Sequence, residues 1–174
     1  MQGMLLSMTN LSTRTEEFHF RVVLTEQSRT NINNDYISKL TEMVYTDEDE
    51  WNLWQRRGDP VLHIDLTKWA DVLVVAPLDM NTLAKIAVGI CDNLLTCIVR
   101  AWNIKKPLIL CPALPAEATE QILTKLQIGT LKSWGYDVLL PEPCAEASSK
   151  NCYAYPMVET DKIADLVMLK MSVK

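Results

Sequence analysis

The chain has 174 residues, 48% of them apolar and 22% charged, with a mean hydropathy near zero. That length fits one domain with a core of ordinary size, and its 17 basic and 22 acidic residues, nowhere massed into a basic stretch, argue against a nucleic-acid partner. No run approaches the length of a membrane span, and the start MQGMLLSMTN lacks the basic and apolar regions of a secretory signal, so a cytoplasmic protein is expected.

Residues 1–17 are polar and unpatterned and are expected to be poorly ordered, which leaves 18–174 as a single domain. FHFRVVLT, residues 18–25, reads as a strand closed by a polar turn at Glu26-Gln27-Ser28. A helix is expected over about 34–43, then a short extended piece at Val44 and Tyr45. Thr46 is placed to N-cap a helix through Trp54, whose start carries Asp47, Glu48, Asp49 and Glu50 where carboxylates meet the positive end of the helix dipole. Residues 61–66 read as extended. VLVVA, residues 72–76, is a continuous apolar run stopped by Pro77, the pattern of a strand buried on both faces in a parallel sheet.

A helix is expected over 81–88, and Asp92 is placed to cap the next, whose Leu94, Leu95, Ile98, Val99 and Trp102 recur on one face. PLILC, residues 107–111, is another buried strand. A longer helix is expected over about 116–134, closed by Gly135, followed by a strand over 136–140, a loop over 141–155 and a last helix over 160–171. Strands alternating with helices imply an α/β layer fold with a parallel sheet.

The loop Ala76-Pro77-Leu78-Asp79-Met80-Asn81-Thr82 follows a buried strand and opens a helix. Its backbone N–H groups are placed to hold an anion or the polar edge of a planar ring; equally, Asn81 and Thr82 read as ordinary helix caps. His63, between Leu62 and Ile64, has the chemistry of a base near neutral pH, or is a structural histidine of an apolar segment. Asp92-Asn93 reads as a cap. Trp51, Trp54 and Trp69 read as core or subunit interface rather than a flavin stack. The five cysteines form no C-x-x-C pair and only two histidines exist, so a zinc site lacks ligands. Three cysteines sit in apolar runs and read as small core residues in a reducing compartment. Cys152 differs: in a polar loop it is either a proton-donating thiol or an idle surface residue. With only five glycines there is no G-x-G-x-x-G and no P-loop, which disfavours the usual dinucleotide and nucleoside-triphosphate enzymes.

The segment HIDLTKWADVLVVAPLDMNTLAKIAVGICDNLLTCIVRAW (residues 63–102), with YTDEDEWNLWQRRGDPVLHIDL before it and KKPLILCPA after it, resembles the phosphopantothenoylcysteine decarboxylase family, most closely over 44–113. These are FMN-containing cysteine decarboxylases of coenzyme A biosynthesis. The resemblance implies a flavodoxin-like (Rossmann-like) α/β subunit, a parallel sheet with helices on both faces, assembled as a homotrimer with FMN between neighbouring subunits. It also implies a reaction: the cysteine of 4'-phosphopantothenoylcysteine is oxidised to a thioaldehyde, carbon dioxide leaves, and the enethiol is protonated and reduced to 4'-phosphopantetheine. The hard chemistry belongs to the cofactor, while the protein orients groups and controls protons.

Carried across residue by residue, the resemblance makes His63 the base and Cys152 the proton donor. It makes Asp79, Met80, Asn81 and Thr82 the flavin loop, Ala113 a further flavin contact, and Gln27 and Ser28 the residues that hold FMN after the family's second strand. The chain departs from the family in three places. MQGMLLSMTNLSTRTEE stands where the family has its first strand and a G-S-x-A phosphate loop, so that strand is expected to be lacking. Pro112-Ala113-Leu114-Pro115 stands for P-A-M-N, whose asparagine holds the substrate carboxylate. Tyr153-Ala154-Tyr155-Pro156 follows Cys152 in place of a glycine-rich flap. These departures open a second reading, a catalytically impaired subunit that joins a complete paralogue in a mixed trimer or serves a regulatory role.

Overall fold

A computed structural model describes residues 19–31, 43–140 and 157–172. The segment 1–17 with its expected disorder and missing strand, the expected helix over most of 34–43, the loop over 141–155 and Cys152 within it lie outside the described residues. The described residues pack as two compact units: one takes those up to 71 together with 89–103, the other takes 72–88 and those from 104 onward.

In the first unit β1 (Val22–Val23) pairs in parallel with β2 (Val44–Tyr45), Val22 opposite Val44 and Val23 opposite Tyr45. Both strands are shorter than the apolar runs around them. The polar turn expected at residues 26–28 is instead the first turn of helix α1 (Glu26–Asn31). Thr25 caps it: its hydroxyl oxygen accepts the Ser28 N–H at 3.3 Å and its carbonyl the Arg29 N–H at 3.0 Å. A polar cluster after a strand serves a helix start as well as a turn, because both need side-chain oxygens for free amides.

Helix α2 (Asp47–Leu53) begins where Thr46 predicts. The Asp49 carboxylate reaches back to accept the Thr46 backbone N–H at 2.7 Å and its hydroxyl at 2.9 Å, half of a capping box. Residues 62–69, by contrast, are not extended. They form helix α3 (Leu62–Trp69), which buries Leu62, Leu66 and Thr67. The i, i+4 spacing of the two leucines is the helical signal, and it outweighs the short run of alternation around His63. Helix α5 (Leu94–Arg100) is capped by Asn93, not Asp92: the Asn93 Oδ1 accepts the Thr96 N–H at 2.9 Å, and the Thr96 hydroxyl accepts the Asn93 N–H at 3.2 Å. Its Leu94, Ile98 and Val99, with Trp102 beyond its end, are buried as their spacing predicts, and α3 packs against it.

The second unit is built on a parallel sheet in the order β3-β4-β5, with β3 (Leu73–Leu78), β4 (Leu108–Pro112) and β5 (Asp137–Val138). Every residue of β4 is buried, the signature of a central parallel strand. Pro77 does not stop β3. The strand continues through a cis Ala76–Pro77 peptide to Leu78, and its register against β4 shifts between Val75 and Leu78. Proline, which has no N–H for the ladder, is tolerated at such an irregularity.

Helix α4 (Met80–Val88) buries Thr82, Leu83 and Ile86 and packs on α7 (Ile122–Ser133). The single helix expected over 116–134 is divided: α6 (Ala116–Glu120) ends at Gln121, which is extended and whose carbonyl accepts the Lys125 N–H at 3.1 Å to start α7. Gly135 closes α7 with φ +89°; its N–H bonds to the Lys132 carbonyl and the Tyr136 N–H to the Leu131 carbonyl, a Schellman motif that needs the left-handed conformation glycine adopts. Helix α8 (Thr160–Ser172) buries Ile163 and Val167.

Candidate functional site

The turn that leaves β3 carries the residues read as a flavin loop. Asp79 is its organiser. One carboxylate oxygen accepts the Asn81 N–H at 2.8 Å and the Thr82 N–H at 3.0 Å, and the other accepts the Thr82 hydroxyl at 2.5 Å. Asp79 is therefore the N-cap of α4, and neither Asn81 nor Thr82 plays that part. This corrects the expectation that the amides of Asn81 and Thr82 wait for an anion, because a carboxylate of the chain already holds them.

The turn presents side chains instead. Met80 is 51% exposed and Asn81 is exposed beside it, while Thr82 is buried. Ala113, at the end of β4, donates its N–H to the Leu78 carbonyl at 2.9 Å, which brings it to the foot of the same turn. A polarizable thioether, an amide with donors and an acceptor, and a small methyl thus meet at the carboxyl end of two parallel strands. That is where α/β sheets bind ligands, and these groups suit the face and polar edge of a flat ring. The negative Asp79 makes the turn a poor seat for a phosphate.

His63 lies in the first turn of α3, in the other unit. Its partner is Glu50 of α2, a carboxylate whose place in the sequence predicts only a contact with the helix dipole. One Glu50 oxygen accepts the His63 backbone N–H at 3.0 Å, and the other lies 2.5 Å from the ring Nδ1. The two side chains are 24% and 15% exposed. The DEDE run is in fact divided among tasks: Asp47 accepts the Leu94 N–H at 2.7 Å, Asp49 closes the Thr46 cap, Glu50 meets His63, and exposed Glu48 sits 3.7 Å from Arg29. A carboxylate three residues into a helix and thirteen before a histidine leaves no mark of that contact in the sequence.

Gln27 and Ser28 lie on α1. Gln27 is exposed, and the Ser28 hydroxyl donates to the Thr25 carbonyl at 2.8 Å. Trp51, Trp54 and Trp69 are all exposed, so they are not core; Trp69 carries the Arg21 guanidinium 4.0 Å above its ring, a cation–π contact.

Of the three described cysteines, all free, Cys111 is the core residue its apolar run predicts, whereas Cys91 is exposed. Burial pushes the Cys111 thiol up to about 12. Burial first, and then the neighbouring charges of Cys91, Glu50, Asp47 and Asp92, raise that of Cys97. Neither is a ready thiolate. Among the described residues no group of His, Cys, Asp and Glu is arranged to hold a metal ion, and no helix is long and apolar enough to cross a membrane.

A parallel α/β framework with an exposed turn at the end of β3 defines a class: the flavoprotein family model matches residues 4–172, and the chain belongs to that family. Within it, the likeness is to phosphopantothenoylcysteine decarboxylases, as the 63–102 segment indicates. The mouse enzyme is 59% identical over 93 residues, 53% of this chain and 46% of its own length. The chain thus spans about half the length of the curated relatives it matches.

The solved structures extend the likeness to nearly the whole chain. A cysteine-to-serine mutant of PPC decarboxylase complexed with pantothenoylaminoethenethiol superposes with a TM-score of 0.82 at 40% identity, covering 97% of this chain and 92% of that one. The FMN binding protein AtHal3 gives 0.82 at 38% identity, covering 98% and 91%. The flavodoxin-like α/β fold read from the sequence is thereby established.

Proposed function

We propose that the chain binds FMN and catalyses the decarboxylation of 4'-phosphopantothenoylcysteine to 4'-phosphopantetheine in coenzyme A biosynthesis. The observation that carries this reading is the likeness over 97% of the chain to a PPC decarboxylase that holds pantothenoylaminoethenethiol. FMN is supported by the flavoprotein match and by the FMN binding protein among the solved relatives. The chain's own residues fit such a group: exposed Met80 and Asn81, with Ala113 at the foot of their turn, offer an apolar and hydrogen-bonding surface for a flat ring. Gln27 and Ser28 are assigned to the cofactor by resemblance.

When bound, FMN supplies the two-electron oxidation and re-reduction that make the carboxylate a leaving group. The protein contributes protons and positions. His63 presents a ring anchored at Nδ1, which leaves Nε2 as the atom that takes a proton from substrate. Cys152 returns one to the product in this reading. A homotrimer is part of the proposal, supported by large apolar side chains left in solvent, Trp51 at 71% exposure and Ile122, Leu123 and Leu126 along α7. So is a reducing cytosol, supported by the free thiols.

The test is to purify the chain, look for oxidised-flavin absorbance, and assay carbon dioxide release from 4'-phosphopantothenoylcysteine. A yellow protein whose activity disappears in His63→Ala is expected. A colourless, inactive protein overturns the reading for the isolated chain.

One observation favours a second reading. Pro115 stands at the N-cap of α6 where the family pattern has an asparagine, and it has no side-chain donor for a substrate carboxylate. The chain would then serve as a subunit beside a complete paralogue, lending His63 while the partner lends the asparagine. Activity that appears only on mixing with a complete family member supports this arrangement.

A further inference from the structure

We infer that Glu50 is a positioning residue that fixes His63 in the tautomer with hydrogen on Nδ1 and the lone pair on Nε2. The Glu50 carboxylate is turned toward His63. Both its oxygens face donors of the same residue: Oε2 takes the His63 backbone N–H at 3.0 Å, and Oε1 stands 2.5 Å from Nδ1. An ionised carboxylate only accepts. With one oxygen occupied by an amide hydrogen, the other needs its hydrogen from the ring, so Nδ1 carries it.

The backbone contact also fixes the carboxylate relative to the start of α3, so that ring orientation and helix position are set by the same group. Glu50 is only 15% exposed and the imidazole 24%, which limits competition from water for either contact. A free neutral imidazole favours hydrogen on Nε2, the wrong atom for a base that must act through Nε2. Glu50 reverses that preference, in the manner of the carboxylates that orient catalytic and metal-bound histidines. The inference rests on His63 being the base of the proposed reaction; the tautomer itself is independent of any reaction.

The experiment uses the full chain labelled with nitrogen-15 at histidine, with His19→Gln introduced to leave a single signal pair. Long-range proton–nitrogen correlation spectra at neutral pH are expected to show a protonated Nδ1 and a bare Nε2 for His63. In Glu50→Gln, whose amide offers the ring a donor as well as an acceptor, that pattern is expected to give way to a mixture or to protonated Nε2. In the decarboxylation assay the same variant is expected to lose about 10- to 100-fold in kcat with KM little changed.

A wild-type spectrum with hydrogen on Nε2 overturns the inference whether or not the variant folds, and so does an unchanged tautomer in a folded Glu50→Gln. A tautomer that switches in a protein without decarboxylase activity upholds Glu50 and rejects the proposed function.

Discussion

The carboxylate of Asp47 accepts the backbone N–H of Leu94 at 2.7 Å, a contact between residues 47 apart in sequence. Asp47 opens α2 and Leu94 opens α5, so one negative group serves the positive ends of two helices, together with Asn93 at the second. Leu94 is buried, and its amide has little water to fall back on. Asp47→Ala is expected to cost about 1–3 kcal/mol in urea unfolding, the range for a charge-assisted bond to a buried donor. Glu48→Ala, at the exposed neighbour, is expected to stay within about 0.5 kcal/mol.

The turn after β3 separates a structural carboxylate from a presented amide. Asp79 holds two backbone amides and a hydroxyl, so Asp79→Ala is expected to lose about 1 kcal/mol of stability. Asn81 is exposed, and Asn81→Ala is expected to leave the unfolding midpoint within error while weakening flavin retention on gel filtration. Equal flavin retention in wild type and Asn81→Ala would remove that residue from the cofactor surface.

Much of this was legible in the sequence because it is written in local spacing. The runs at 72–76 and 107–111 become parallel strands, the second buried throughout β4 and the first only at Val75 within its run, and Thr46 and Gly135 mark helix ends where caps require them. The differences at helix starts share one physical source, that a polar residue near an element's end reports a free amide without saying which side chain reaches it. Ser28 suits a turn but lies on a helix that Thr25 caps, the pair Asp92-Asn93 supplies its cap through Asn93 rather than Asp92, and Asn81 suits a cap that Asp79 makes. Around His63 the alternation Leu62, Ile64, Leu66 suits a strand, while Leu62 and Leu66 alone are one helical turn apart, so the short segment fits either period and only burial decides for the helix. The pairing of His63 with Glu50 is a product of helix packing, invisible to any local pattern.

Leu110 is fully buried in the middle of the central strand β4. Leu110→Ala removes methyl groups from a site walled by backbone on both edges, β3 on one and β5 on the other, where collapse around the void is limited. A loss of about 2–5 kcal/mol is expected. Leu126 on α7 is 63% exposed, and Leu126→Lys is expected to leave the stability of the subunit nearly unchanged while shifting its mass in solution toward the monomer if that face joins copies of the chain. Denaturant melts and light scattering read the two effects apart.

Cys111 makes alkaline stability a test of the core. Its thiol titrates at about 12 in the folded chain, against 9.0 for an ordinary cysteine, because burial disfavours the thiolate. Below pH 9 both states keep the proton and the group makes no pH-dependent difference. Between about 9 and 12 the unfolded chain gives up its proton while the folded chain keeps it, so the unfolded state gains and stability falls, by about 1 kcal/mol per pH unit from this group. Tyrosines and lysines titrate over the same span, so the measure is the difference between wild type and Cys111→Ala, whose unfolding free energy is expected to fall less steeply above pH 9. Parallel slopes in the two proteins would mean that Cys111 ionises as freely inside the sheet as in water. Alkylation under native conditions gives the complementary reading: among the three described cysteines, exposed Cys91 is expected to react before Cys97, and Cys111 only on unfolding.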